Sequence, residues 1–265
     1  LADDTSVGGD GENRLSGTAG NNRYIIGAAK TAPVGSQQIR GGAGYETYEF
    51  LDNIGEVSFN DRQNGVALDF DALSDGIVVN INKRVVSVTN AMGQELRISG
   101  STVDDVRLTR WTDTVYVSDF PAWAIDIQDT GGEDDYRVTM GRGSASGGTG
   151  TINIKESGAD FDELILEQTR SLAPDTISLD LNTVTNGREV VTYENGLLDR
   201  LTLKGKGASY NANEIISLGG DVRFTSLAGT GAVSNLGNTA FRAIGREIHQ
   251  ESSLMATGII LEAMR

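Results

Sequence analysis

Cysteine is absent from this chain, and proline occurs only 3 times and histidine once in 265 residues. The lack of cysteine excludes disulfides, thiolate zinc sites, iron–sulfur ligation and cysteine nucleophiles. Aromatic residues make up 6% of the chain and apolar residues 38%, which is little for a compact globular core. Any stability outside the cell must then come from repetition or from bound metal rather than from cross-links.

Long apolar runs are also missing. No stretch approaches the roughly 20 apolar residues that span a bilayer, so a membrane span is not expected. The first residues, Leu-Ala-Asp-Asp-Thr, lack the basic and apolar regions of a signal peptide and fit either a cleavage point or an internal cut. The net charge of −15 disfavours nucleic acid and anionic lipid as partners. The same carboxylates supply oxygen ligands for calcium, although they also serve simply to keep an extended surface soluble.

Glycine is what the chain has in abundance, with 34 residues. Together with scarce proline, it favours many short strands joined by tight corners, and hence an all-β fold. Alternating apolar runs recur roughly every 10 to 13 residues, a spacing typical of short strands. The runs are 76–82, 84–89, 106–109, 114–117, 123–127, 136–140, 151–154, 163–166, 176–181, 189–193, 200–203 and 214–218.

A nine-residue repeat opens the chain. Residues 8–16 read Gly-Gly-Asp-Gly-Glu-Asn-Arg-Leu-Ser, and residues 17–25 read Gly-Thr-Ala-Gly-Asn-Asn-Arg-Tyr-Ile in the same phase. A third copy, out of phase, covers 41–50, which leaves 26–40 as an insertion or loop. These copies match the pattern G-G-x-G-x-D-x-U-x, with Asn13, Asn22 and Glu46 where aspartate usually stands.

With these motifs the sequence resembles the hemolysin-type calcium-binding (RTX) repeats of large secreted bacterial proteins. The resemblance implies a parallel β-roll with Ca²⁺ held between successive turns. It implies side-chain ligands from Asn13, Asn22 and Glu46, and backbone carbonyl ligands from Gly8, Asp10, Gly17, Ala19, Gly41 and Ala43. All three copies depart from the family pattern at the acidic position, so both an occupied site and a retained turn without its ion stay open.

The expected fold is therefore all-β, a right-handed parallel β-helix or β-roll solenoid. Residues 1–60 would form the RTX-like calcium-binding region, and 61–265 would continue the same stack. The acidic Gly-rich segments 129–135 and 156–162 are interpreted as worn versions of the same corner. Residues 240–265 carry a weak helical spacing, but two strands split at Thr257-Gly258 are the favoured interpretation.

Several residues suggest chemistry, each with a structural alternative. The acidic pairs Asp104-Asp105, Asp134-Asp135 and Asp160/Asp162 suggest glycosidase carboxylates, but corner residues or cation ligands are favoured. Arg107, Trp111 and Trp123 suggest a sugar-binding surface, but we expect the two tryptophans to fill the interior or a subunit contact. The single histidine, His249, lacks any motif of a catalytic triad or zinc protease. The Gly-rich segment 141–150 lacks the Lys-Ser/Thr ending of a phosphate loop and is expected to be a loop.

The function expected from these patterns is that of a secreted, calcium-stabilised structural or adhesive element of a bacterial surface, without a catalytic residue. Its expected partners are other copies of itself or neighbouring surface proteins. Two alternatives stay open: a polysaccharide-binding module, and a polysaccharide lyase or epimerase.

Overall fold

The computed structural model describes most of the first two thirds of the chain and separate strands beyond. The described residues are 3–9, 11–29, 35–59, 64–99, 101–140, 150–157, 160–168, 176–180, 182–185, 188–194, 200–205, 209–212, 215–217, 221–226, 240–245, 248–250 and 258–263. Within them the structure is all-β. They contain no helix of the length and apolarity that crossing a lipid bilayer requires.

The strands are short, as the glycine-rich corners predict. In chain order they are β1 (Thr5–Val7), β2 (Asn13–Ser16), β3 (Arg23–Ile26), β4 (Ser36–Arg40), β5 (Glu46–Phe50), β6 (Glu56–Phe59), β7 (Asn64–Asp69), β8 (Ile77–Asn82), β9 (Val85–Asn90), β10 (Glu95–Ser99), β11 (Thr102–Arg107), β12 (Thr114–Val117), β13 (Ala124–Gln128), β14 (Asp135–Met140), β15 (Thr151–Lys155), β16 (Glu163–Gln168), β17 (Thr176–Asp180), β18 (Thr183–Thr185), β19 (Val190–Tyr193), β20 (Arg200–Gly205), β21 (Ser209–Ala212), β22 (Ile215–Ser217), β23 (Asp221–Ser226), β24 (Ala240–Gly245), β25 (Ile248–Gln250) and β26 (Gly258–Ala263).

Most neighbouring strands are parallel, and they form four sheets. An 11-stranded sheet has the order β1-β3-β5-β7-β11-β13-β15-β19-β18-β17-β21, and a 9-stranded sheet has the order β10-β9-β8-β12-β14-β16-β20-β23-β25. Two 3-stranded sheets, β2-β4-β6 and β22-β24-β26, complete the set. The pairing of β5 with β7 joins a strand of the predicted 1–60 region to a strand of the predicted 61–265 region in the same 11-stranded sheet.

The chain passes back and forth between opposite strand sets, which gives the molecule two edges. Because β1, β3, β5, β7, β11, β13 and β15 run parallel in one sheet, their C-terminal ends share one side. We call this side the first edge; it contains the connections β7–β8, β11–β12, β13–β14 and β15–β16. The second edge contains the connections that return to the 11-stranded sheet, among them β2–β3, β4–β5, β10–β11 and β12–β13.

Alternate side chains of both sheet sets point into one apolar core. Strand β8, for example, buries Ile77, Val79 and Ile81 and turns the intervening residues outward, the period-two pattern of a strand with one buried face. The parallel register also stacks identical ring types from neighbouring strands. Tyr24 and Tyr48 are directly paired, with ring centroids 4.9 Å apart and planes inclined by 14°.

Two antiparallel excursions depart from the expected parallel fold. Strands β8, β9 and β10 form an antiparallel meander inside the 9-stranded sheet, and β17, β18 and β19 form another in the 11-stranded sheet. The physical reason lies in the connections: only Lys83 and Arg84 separate β8 from β9, whereas a parallel crossover needs about a dozen residues. The expected strands 76–82 and 84–89 are confirmed, but they form a hairpin.

The C-terminal residues that the structure describes are strands. Strands β24, β25 and β26 replace the weak helical spacing of 240–265, as the sequence favours. Residues 251–257, the first half of the expected split pair of strands, lie outside the described residues. His249 lies in β25, paired with Arg223 of β23.

Candidate metal centre

Three aspartates occupy equivalent places at the first edge, each one residue before a strand of the 9-stranded sheet. Asp113, Asp134 and Asp162 precede β12, β14 and β16, and all three are buried. The N–H of Asp113 donates to Asp134 Oδ1 at 2.8 Å, and the N–H of Asp134 donates to Asp162 Oδ1 at 2.9 Å. The N–H of Ile77 extends the series by donating to Asp113 Oδ1 at 2.7 Å. Each carboxylate therefore accepts a hydrogen bond from a backbone N–H at the start of the preceding strand of the 9-stranded sheet. Burial would otherwise leave this N–H without a partner.

A second row of acids ends the strands of the 11-stranded sheet at the same edge. Asp129 follows β13 and Glu156 follows β15, with 4% of each residue exposed. Asp129 accepts hydrogen bonds from the N–H of Gly131 at 2.7 Å and from the N–H of Ser157 at 3.1 Å. Glu156 differs, because no N–H or hydroxyl group donates to either of its buried carboxylate oxygens, and its polar neighbour is the carboxyl group of Asp162.

The two rows meet at the β13–β14 and β15–β16 connections. Oxygen atoms of Asp129, Glu156 and Asp162 all lie within 4.8 Å of one another, and all three residues are buried. Ligand oxygens bind Ca²⁺ at about 2.3–2.6 Å, so two oxygens on one ion are at most about 5 Å apart. The spacing of this acidic triad, the name we use for these three residues, is therefore compatible with one bound divalent cation.

Burial and mutual repulsion shift the ionisation of this region. Burial first, and then the charges of Asp162, Asp129 and Asp134, raise the pKa of Glu156 to about 9. The pKa of Asp134 also rises to about 9, mainly through burial, against the lowering effect of the hydrogen bond from Asp113. Burial raises the pKa of Asp113 to about 6. Without a cation, Asp134 and Glu156 therefore favour their protonated forms at neutral pH, because concentrating negative charge in a buried place is unfavourable.

The local backbone brings the two rows together through glycine. Gly132 has a φ of +111°, and a Cβ at this position would lie 2.4 Å from the carbonyl oxygen of Trp111 in the neighbouring connection. Only glycine permits both the positive φ and this close approach. The connection can then lie directly against the β11–β12 connection, where the Asp113 N–H donates to Asp134 Oδ1.

The RTX-like turns are distributed over both edges. The first copy, with Gly8 and Asn13, connects β1 to β2 at the first edge, whereas the turns with Gly17 and Gly41 lie at the second. Asp10 lies outside the described residues. At the first copy, the Asn13 side-chain amide donates to the carbonyls of Gly9 at 2.8 Å and Gly11 at 3.0 Å. The predicted carbonyl ligands were those of Gly8 and Asp10, so the Asn13 amide bonds a different pair of carbonyls.

The other two copies stack directly. Ala19 and Ala43 form a parallel bridge, and the Gly20 N–H donates to the carbonyl oxygen of Ala43 at 3.0 Å. The Asn22 amide donates to Glu46 Oε1 at 3.2 Å. The structure therefore brings Asn22 and Glu46 together and separates both from Asn13, a grouping that the nine-residue phase did not specify. Calcium at these turns stays a prediction.

Of the other sequence predictions about these residues, some are confirmed by the structure and some are wrong. Segments 129–135 and 156–162 contain the β13–β14 and β15–β16 connections, as expected of corners. Asp104 and Asp105 lie within β11, so their assignment to a corner is wrong. Trp111 is 47% exposed at the first edge, where the β11–β12 connection carries it outward, so it does not fill the interior; the alternative of a subunit contact stays a prediction. Residues 141–149 of the Gly-rich segment lie outside the described residues.

Sequence reasoning missed Asp113 and Glu189 as buried acids. Asp113 follows Thr109-Arg-Trp-Thr, which contains no glycine and no second acid to mark a corner. The signal that could have found it is positional: an acid directly before an alternating apolar run, as at Asp134 and Asp162.

No family model, curated protein or solved structure matches this chain. The resemblance to hemolysin-type repeats thus depends on the three motif copies, and the metal centre on the geometry of the acidic triad.

Proposed function

We propose that this chain is a calcium-stabilised β-solenoid segment of a secreted bacterial protein that acts as a structural element at the cell surface. The strand order supports the solenoid: each strand of the main parallel series pairs with one from the next passage of the chain, and the passages alternate between two sheet sets. Crossovers between parallel strands of one sheet are nearly always right-handed, so the proposed coil is right-handed. Such stacks gain stability from contacts between neighbouring coils rather than from one central core.

The observation that carries the calcium part of the proposal is the buried carboxylate of Glu156 within the acidic triad, to which no N–H or hydroxyl group donates. A buried ionised group without a donor is costly unless a proton or a cation compensates it. Calcium prefers several carboxylate oxygens in one irregular site, which the triad offers. Binding would replace the repulsion between Asp129, Glu156 and Asp162 by attraction to the shared ion.

Calcium dependence would connect the fold to its location. An ion that binds the folded state alone stabilises it by RT ln(1 + [L]/Kd), about 2.7 kcal/mol at 100 times Kd. The chain would then complete its fold after export, where calcium is plentiful. Its proposed partners are further copies of itself or neighbouring surface proteins.

Thermal unfolding tests the calcium centre. At pH 8, 5 mM CaCl₂ should raise Tm relative to EGTA, by roughly 5–10 °C if calcium is at 100 times Kd. Glu156→Gln should abolish most of this difference, because it removes one charged ligand while keeping the side-chain shape. Particle size followed by light scattering in the same samples separates stabilisation from calcium-driven association.

Glu133→Gln is the matched control, because Glu133 is an exposed acid of the same β13–β14 connection. It should respond to calcium as the unaltered protein does. A melt with the same Tm in calcium and in EGTA would remove the metal from the proposal and leave the strand arrangement intact. An equal loss of response in both variants would show that surface charge, rather than the triad, senses the ion.

A further inference from the structure

The antiparallel meander creates a cavity at the second edge. The turn between β8 and β9 projects Lys83 and Arg84 beside the start of β11, and a cavity of about 480 Å³ lies between them. Its lining consists of Lys83, Arg84, Val85, Ser99, Ser101, Thr102 and Trp123. Volumes of about 300–1,000 Å³ are typical of small-molecule sites.

The charge of this cavity is opposite to that of the chain as a whole. The charged residues among those that line it are Lys83 and Arg84, both cations, whereas the chain has a net charge of −15. A cationic place on an acidic surface concentrates an anionic ligand locally while the surrounding field repels it elsewhere. The guanidinium of Arg84 also has the planar donor geometry that pairs with a carboxylate.

The remaining lining fits the body of a sugar rather than an inorganic anion. The Trp123 indole is half-buried against the core, and its Nε1–H donates to the Val103 carbonyl at 2.9 Å, which fixes the ring. A fixed aromatic ring offers an apolar plane, and hydroxyls of Ser99, Ser101 and Thr102 offer groups that both donate and accept. Thr102 Oγ1 is itself held by the N–H of Gly65 at 3.2 Å.

From this combination we infer that the cavity beneath the β8–β9 turn binds a carboxylated saccharide, such as a unit of an acidic polysaccharide. The sugar face packs on Trp123, its hydroxyls bond the serine and threonine side chains, and its carboxylate pairs with Lys83 and Arg84. This inference does not rest on the calcium centre, because the acidic triad lies at the opposite edge.

Tryptophan fluorescence gives a local readout. The chain has two tryptophans, so Trp111→Phe leaves Trp123 as the only indole. In this background, at fixed calcium and low salt, trigalacturonic acid should change the Trp123 emission saturably, and the neutral trisaccharide maltotriose should bind about tenfold more weakly or less. Isothermal calorimetry on the same samples reports binding that leaves the emission unchanged.

The variant Lys83→Glu/Arg84→Glu should lose at least about tenfold in affinity for the acidic trisaccharide. Arg97→Glu, which alters an exposed cation on β10 of the same meander, is the matched control and should bind as before. Both variants change turn or surface residues, and circular dichroism verifies their fold. Equal binding of the acidic and neutral sugars, equal binding by both variants, or no heat and no emission change at millimolar ligand would each overturn the inference.

Discussion

Individual acidic residues at the first edge act mainly as substitutes for backbone pairing. Asp113 shows this most clearly, because its carboxylate accepts the N–H groups of Ile77 at 2.7 Å and Thr109 at 2.8 Å, and also the Thr109 hydroxyl at 3.0 Å. Both backbone donors would be buried without a partner if this side chain were removed. The residue is therefore structural even though its raised pKa resembles that of a catalytic acid.

Asp113→Ala should lower the free energy of unfolding by about 2–4 kcal/mol, since each unsatisfied buried donor costs about 1–3 kcal/mol. Urea denaturation followed by circular dichroism measures the change. Asp119→Ala, at a half-buried acid just after β12, is the comparison and should cost much less. A similar loss in both variants would argue against the capping role of Asp113.

At the residue scale, the repeat identified turn residues but not their contacts. It selected Asn22 and Glu46 as candidate ligands, and the structure joins them although the third copy is out of phase with the second. What the phase does not convey is that the Asn13 amide donates to the carbonyls of Gly9 and Gly11. Amide orientation depends on which groups surround it in three dimensions, and no spacing rule encodes that.

At the scale of single elements, the corners determine how closely successive passages of the chain approach. The β13–β14 connection contacts the β11–β12 connection at Gly132, where a Cβ would lie 2.4 Å from Trp111 O. The turn between β9 and β10 also has a glycine with positive φ, Gly93 at +75°, but a Cβ there would meet nothing within 4 Å. Substitutions at the two glycines thus separate the energetic cost of a positive φ from the cost of disturbing a close backbone contact.

Gly93→Ala should cost about 1 kcal/mol, the price of placing alanine in the left-handed region. Gly132→Ala should cost at least about 3 kcal/mol, because backbone atoms must move as well. Comparing their midpoints of chemical denaturation tests the difference. If the two substitutions cost the same, the contact between the connections does not constrain the fold.

The alternation of apolar and polar residues predicted where the strands lie, but it did not predict whether neighbouring strands are parallel or antiparallel. The runs 76–82 and 84–89 coincide closely with β8 and β9, yet alternation is the same for parallel and antiparallel neighbours. The short Lys83-Arg84 turn was the available signal. The cavity beside this turn could not be predicted, because Trp123 and Lys83 are distant in sequence. They line the same cavity only because β8 pairs with β12 and β11 pairs with β13.

For the whole molecule, the balance of protons and cations at the first edge determines the response to pH. In the folded state the pKa of Asp134 and that of Glu156 are each raised to about 9, whereas in the unfolded chain they are near 4. The folded state therefore binds more protons between these values. Its stability without metal is greatest in acid and is lost as pH rises from about 4 to about 9.

Calcium should reverse this trend, since it binds the deprotonated carboxylates. We expect Tm in EGTA to fall between pH 5 and pH 8.5, and the gain in Tm from calcium to grow over the same interval. Differential scanning fluorimetry across pH, with and without calcium, measures both. A calcium gain that is equal at pH 5 and pH 8.5 would contradict competition between protons and metal at the triad.

The capping of Ile77 by Asp113, of Asp113 by Asp134 and of Asp134 by Asp162 always runs the same way along the chain. At these three positions, the capping oxygen comes from the part of the chain that is synthesised later. A chain cut directly after Met140 would keep β14 yet lose the acceptor for the Asp134 amide. At β8, β12 and β14, a chain that folds from its N-terminus therefore lacks the carboxylate that caps the newest strand until the next strand of the 9-stranded sheet is in place.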